Sequence, residues 1–137
     1  MDERIKALKD LIENDNFIKY IGAKVELMER GHCKLSLAFK DNLTRFGNII
    51  NGGVIATLAD AAGGCAVLSI NDGRDQVTVN LNVLFLSAIK SGPIVAEADI
   101  IRAGKNMAFA EINIFDSSGK KCATAIGSWF FRDIKVL

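Results

Sequence analysis

Hydrophobic and polar positions change rhythm several times along the chain. Over residues 2–13, Ile5, Leu8, Leu11 and Ile12 recur at helical spacing with charges between them. That predicts a short amphipathic surface helix. Residues 24–28 and 33–39 read as extended, with Glu29-Arg30-Gly31 between them as a turn, so they predict a hairpin. Residues 40–50 are polar and irregular. From Ile49 to Ile70 the only charge is Asp60. Gly52-Gly53 opens this apolar run and Asn71-Asp72-Gly73 closes it, predicting a buried helix over 54–68. The rhythm then becomes period two. Val77, Val79, Leu81, Val83 and Phe85 alternate with Thr78, Asn80 and Asn82, which marks a strand with one apolar face. Further strands are expected over 94–101, 107–115 and 122–131. Turns fall at Ser91-Gly92-Pro93, at Ala103-Gly104 and within 116–120.

The elements predict one α+β domain over 1–137, with four consecutive strands as a largely antiparallel meander. A sheet with one apolar face has to bury it, and the 54–68 helix is the obvious partner. A helix held in the concave face of a curled antiparallel sheet is the hotdog arrangement. The apolar run is long enough to span a bilayer. Against that, much of it is Ala and Gly, and an Asp mid-span costs roughly 2.5–3.5 kcal/mol on insertion scales. A buried core helix fits better, and no membrane partner is expected.

Composition narrows the classes. The 137 residues are 50% hydrophobic and 24% charged, with net charge +1. The chain therefore has material for a core, and it lacks the basic excess of a nucleic-acid binder. The charged N-terminus reads as a helix rather than a leader. Cys33, Cys65 and Cys122 are odd in number, and the chain has one histidine, His32, and no CxxC pair. No metal site is expected. The cysteines are expected as reduced thiols in a cytoplasmic protein.

Asp60 is the sharpest chemical feature. A carboxylate in an apolar helix is costly unless hydrogen-bonded. It either fixes packing through a bond to a neighbour or serves as base or nucleophile in a dry pocket. Gly53, Thr57, Asp60 or Ala61, and Gly64 fall near one helix face. That face suits either close packing or a channel for a thin substrate arm. Gly52-Gly53 permits a tight entry turn, and free N–H groups at a helix start can also hold an oxyanion. Thr78, Asn80 and Asn82 are expected on one strand face, turned to water, to a pocket or to a subunit interface. Lys90, Arg102, Lys105, Lys120 and Lys121 sit at turns, where they are solvated or contact the phosphates of a nucleotide-bearing substrate.

The run from Leu43 through Asn51-Gly52-Gly53 to Asp60 resembles the signature of PaaI-like (phenylacetate-degradation type) hotdog thioesterases. That family carries His-Gly-Gly and then a helix with Asp nine residues after the His. The segments 77–86 and 101–111 resemble the strand and hairpin that follow. The likeness spans roughly 35–130. It implies hydrolysis of an acyl-CoA thioester, with Asp60 as general base or nucleophile and the Gly53 N–H as oxyanion donor. Thr78 would hold the water or substrate. Arg102, Gly104 and Lys105 would contact the CoA nucleotide. Gly52, Thr57 and Asn80 fall among the positions expected to line the substrate site. CoA enters as part of the substrate, and no separate cofactor is implied. The family's His is Asn51 here, which keeps a hydrogen bond but cannot shuttle a proton. Arg45 stands where the family has a water-orienting Asn, with Asn42 or Asn48 as the available replacements.

Gly53 and Asp60 are seven residues apart, about 10 Å along a helix at 1.5 Å per residue. One thioester reaches both more readily if two chains lay their helices antiparallel. A homodimeric site is therefore expected, with assembly into a homotetramer implied by the family. The alternative is a non-catalytic hotdog protein that binds acyl-CoA.

Overall fold

The computed structural model describes residues 2–137. Among the described residues, three α-helices, one short 3-10 helix (Asp41–Leu43) and eight strands follow one another. The α-helices and strands are α1 (Glu3–Glu13), α2 (Asn16–Ile21), β1 (Lys24–Glu29), β2 (His32–Leu37), β3 (Thr44–Arg45), β4 (Ile49–Ile50), α3 (Gly52–Leu68), β5 (Arg74–Phe85), β6 (Ile94–Ala103), β7 (Met107–Phe115) and β8 (Lys121–Lys135). Six strands form one antiparallel sheet in the order β1-β2-β6-β7-β8-β5, and β3 and β4 make a small separate pair. The sheet curls around α3, which touches β2, β5, β6, β7 and β8. This is the hotdog fold.

Local chemistry sets the helix ends. Asp2 accepts from the Arg4 N–H at the start of α1. Asp15 accepts from the Phe17 and Ile18 N–H groups at the start of α2. Such oxygens satisfy donors that a helix leaves free in its first turn. The short α2 was not marked by the periodicity, because six residues hold too few apolar positions to show it. A Glu13 oxygen accepts from the Val25 N–H at 2.8 Å and ties α1 to β1. The Ser69 hydroxyl accepts from the Gly31 N–H at 2.8 Å and ties the end of α3 to the β1–β2 turn.

The core lies between α3 and the concave face of the sheet. Leu58, Ala59, Ala62 and Ala66 of α3 are fully buried there, beneath Ala96, Ala98, Ala110, Ile112 and Trp129. Gly63 lets α3 settle onto Trp129. A Cβ at that position would collide with the indole ring, and one at Gly127 would stand 2.7 Å from the same ring. Among the described residues, no helix is long and apolar enough to cross a membrane.

Three expectations change. The four later strands are not one meander, because β5 pairs with β8 at a sheet edge and β6 pairs with β2. Pairing β6 with β2 lets the sheet close on α3 from both sides, which a β5–β6 hairpin would prevent. Second, Thr78, Asn80 and Asn82 do not share a face. The register shifts between Thr78 and Asn80, where β5 carries one residue more than β8. Such a bulge inverts the alternation. Thr78 faces α3, whereas Asn80 and Asn82 face the opposite side, and Leu81 and Val83 pack on the core. Third, the cysteines are not all thiols. Cys33 of β2 and Cys65 of α3 form a disulfide across the helix–sheet contact, with their Cα atoms 6.1 Å apart, and Cys122 stays free and buried. An odd count hides a pair when the fold brings two of the three face to face.

Candidate active site

Asp60 lies midway along α3, on the side turned toward β5, and is half-buried. The Thr78 hydroxyl donates to its Oδ1 at 2.7 Å. The second carboxylate oxygen has no hydrogen-bond partner among the described residues. A fixed carboxylate with one free oxygen can take a proton from water or attack a carbonyl carbon.

One turn further along α3 the same two elements meet again. The Gln76 amide donates to the Gly64 carbonyl at 2.7 Å and accepts from the Asn71 amide at 2.8 Å. Gln76 precedes Thr78 by two, so both reach the helix from one strand face. The sequence reading missed it. Its signal is the spacing of two from Thr78, ahead of the bulge.

The start of α3 is built by Asn51 and the two glycines. Asn51 Oδ1 accepts from the Gly53 N–H at 2.7 Å, and the Asn51 carbonyl accepts from the Val54 N–H at 3.0 Å. Asn51 is thus the N-cap. Its Nδ2 and the Gly52 N–H bond no other described residue. The helix start therefore presents two unspent donors in a region of positive dipole potential.

A cavity of about 370 Å³ lies beside this helix start, lined by Arg45, Ile49, Gly52, Ile55, Phe85 and Ser87. Arg45 ends β3, and its guanidinium lies 4.5 Å from the centre of the Phe46 ring. Gly47 and Asn48 take positive φ, 84° and 58°, and turn the chain between β3 and β4. Thr57 is half-buried on α3, a turn before Asp60.

The structure brings together Asp60 and Thr78, and separately Asn51, Gly52, Gly53 and Arg45. It does not bring the others to Asp60. Asn80 faces away behind the bulge. Arg102, Gly104 and Lys105 form the exposed β6–β7 hairpin. There the Gly104 N–H donates to the Met107 carbonyl at 2.7 Å, and the Lys105 carbonyl accepts from Arg74 at 3.1 Å. No hydrogen bond among the described residues joins this hairpin to Asp60 or Thr78. His32 begins β2. Its Nδ1 is 2.6 Å from Asp99, and with Glu97 these form a cluster on the exposed sheet face whose geometry could hold a metal ion. Lys34 engages Glu97 there at 3.4 Å.

Comparison with known proteins adds the family. Residues 47–123 match the thioesterase superfamily. A protein of Saccharolobus solfataricus named "Putative esterase SSO2140" is 36% identical over 137 residues, covering 99% of this chain and 98% of its own. The acyl-coenzyme A thioesterase 13 of Pongo abelii is 27% identical over 119 residues, covering 85% and 84%. Among solved structures, the PaaI protein of the E. coli phenylacetic acid degradation operon superposes with a TM-score of 0.89 at 22% identity, covering 96% of both chains.

Proposed function

The chain belongs to the thioesterase superfamily and is a PaaI-like hotdog thioester hydrolase, and on that premise we propose that its substrate is an acyl-CoA, with Asp60 as the catalytic carboxylate. The observation that carries this reading is the 2.7 Å bond from Thr78 to Asp60. It holds one carboxylate oxygen and leaves the other free toward solvent. As a general base, Asp60 takes a proton from water while the water oxygen bonds to the thioester carbon. The C–S bond then breaks, and the proton on Asp60 passes to the CoA thiolate. As a nucleophile, Asp60 forms an anhydride that water opens, with the same net products.

The carbonyl oxygen gathers negative charge in either route, and the donors at the start of α3 suit it. Asn51 Nδ2 and the Gly53 N–H are assigned this work. The Gly53 N–H already donates to Asn51 Oδ1, and in this reading it is shared between that cap and the carbonyl oxygen. These donors lie about 10 Å from Asp60 along one helix at 1.5 Å per residue, so the reading places them on a second copy. The edge position of β5 supports that pairing. Its backbone has a free side, and Val77, Val79 and Phe85 are 46%, 59% and 56% exposed. Unpaired apolar edges favour strand addition. A homodimer, assembled further into a homotetramer, is the proposed form. Arg45 beside the helix-start cavity, and Arg102 with Lys105 at the β6–β7 turn, are assigned to the CoA phosphates. CoA belongs to the substrate and no separate cofactor is invoked.

The test is thiol release from a panel of acyl-CoAs by the wild type and by Asp60→Asn. Release by the wild type and its loss in the variant is the expected result. Tight binding without release by the wild type would favour the second reading, a non-catalytic acyl-CoA binder. Asn51 in place of a proton-shuttling His is what keeps that second reading in view. Mixing Asp60→Ala subunits with subunits disrupted at Gly53 tests the shared site, since only heterodimers would regain activity.

A further inference from the structure

Asp60 is held by one side chain of β5, and a second side chain of the same strand grips α3 a turn further on. Gln76 Nε2 donates to the Gly64 carbonyl at 2.7 Å, the same length as the bond from Thr78 to Asp60. Gln76 and Thr78 are two residues apart on a strand, about 6.7 Å at 3.3–3.4 Å per residue. Asp60 and Gly64 are four residues apart on one helix face, about 6 Å at 1.5 Å per residue. The steps match, so the two bonds form a pair of rungs between strand and helix.

The second rung has a fixed direction. The Gly73 N–H donates to Asn71 Oδ1 at 3.1 Å, which leaves Asn71 Nδ2 for Gln76. That Nδ2 donates to Gln76 Oε1 and to the Arg74 carbonyl, each at 2.8 Å. With Oε1 facing a donor, Gln76 Nε2 is left to face the Gly64 carbonyl, the orientation in which both ends of the amide are satisfied. Asn71 is 2% exposed, so Gln76 is braced from behind by packed structure.

β5 needs that brace. It is an edge strand, paired on one side with β8. Gln76, Val77 and Thr78 pair in step with Phe131, Phe130 and Trp129. The register slips between Arg74 and Gln76, and again between Thr78 and Asn80. A stretch between two slips is cut off from the pairing on either side. A drift of about 1 Å would carry the Thr78 hydroxyl beyond hydrogen-bond length from Asp60.

We propose that Gln76 is a positioning residue for the reaction: its grip on Gly64 holds β5 at the distance from α3 that keeps Thr78 on Asp60. It acts through Thr78 and not on the reacting atoms. This role rests on the reading of Asp60 as the catalytic carboxylate.

The test follows thiol release from acetyl-, hexanoyl- and palmitoyl-CoA, with folded protein quantified by near-UV circular dichroism. Gln76→Met keeps the length of the side chain and removes both its bonds, while Asn71 retains the Arg74 carbonyl as acceptor. Its kcat should fall about tenfold, the order of one hydrogen bond's net value, with KM changed less than about twofold. The decisive measurement is a double-variant cycle with Thr78→Val. Once the hydroxyl is gone nothing is left to position, so Gln76→Met should lower kcat less than about twofold in that background. Losses that multiply would make Gln76 an independent structural contact and overturn the proposal, as would an unchanged kcat in Gln76→Met. Gln76→Glu keeps the shape and the bond from Asn71 but loses the donor to Gly64, and it carries the same cycle if Gln76→Met does not fold. Asp60→Asn separates the two failures. Wild-type hydrolysis that is lost in Asp60→Asn leaves the Asp60 reading standing whatever the cycle gives. Hydrolysis that survives in Asp60→Asn, or none by the wild type, overturns both.

Discussion

Thr78 on β5 donates its hydroxyl hydrogen to Asp60 on α3 at 2.7 Å, and so fixes the one charge in an otherwise apolar helix. The bond orients the carboxylate across the helix–sheet contact. Thr78→Val keeps the shape and removes the donor. Hydrogen bonds to charged groups contribute about 1.5–3 kcal/mol. Thioester kcat should therefore fall about tenfold to a hundredfold by that figure, with KM little changed. Thr78→Ser should recover most of the rate. Steady-state kinetics of the two variants checks this.

Asn51 has two jobs that one atom's replacement separates. Its Oδ1 caps α3 and its Nδ2 is the proposed donor to the thioester. Asn51→Asp keeps an acceptor at the cap, and its negative charge suits a helix N-terminus. Thermal stability should hold while kcat/KM falls about a hundredfold or more, the usual cost of an oxyanion donor. Asn51→Ala should also lose roughly 1 kcal/mol of stability with the cap. Activity retained in Asn51→Asp would remove the side chain from the reaction.

Gly63 permits the closest approach of α3 to the sheet, against the Trp129 ring. Gly63→Ala puts a methyl group where the fully packed indole stands. Overpacking of this kind costs about 1–3 kcal/mol, more than the helix propensity gained by Ala would offset. Denaturant unfolding of the variant should show the loss as a lower midpoint.

The disulfide makes a countable prediction. Cys33 and Cys65 are joined, and Cys122 is buried with its thiol held above its usual pKa, chiefly by burial. A thiol reagent should find no reactive group in the native protein. It should find one after unfolding without reductant, and three with reductant. The crosslink closes a loop of 32 residues, which the chain-entropy relation values at about 3–4 kcal/mol. Reduced protein should unfold at a correspondingly lower denaturant concentration. Three reactive thiols in the unreduced, unfolded chain would refute the pairing.

The parts of this fold that local patterning controls were readable in advance. The α3 boundaries come from Gly52-Gly53 and Asn71-Asp72-Gly73, and the β1–β2 hairpin comes from its turn. Asp60 and Thr78 were both picked out, and the structure joins them, because a lone charge and a strand hydroxyl are visible residue by residue. Long-range choices were not readable. Nothing near β5 says that its partner is β8 rather than β6. The bulge between Thr78 and Asn80 has no glycine to mark it, so Thr78 was grouped on one face with Asn80 and Asn82. Gln76 looked like any polar strand residue until Gly64 came beneath it. The Cys33–Cys65 pair exists only once α3 lies on β2.

The extra residue in β5 works as a phase shifter. Ahead of it, the strand must aim Gln76 and Thr78 at the helix. Beyond it, the strand must turn Leu81 and Val83 inward. Strict alternation from Thr78 onward would turn those two outward and bring Asn80 and Asn82 in. By letting the parity slip once, the chain separates the half of β5 that serves the site from the half that fills the core. Substitutions in the first half can then retune the site while the second half keeps its inward face.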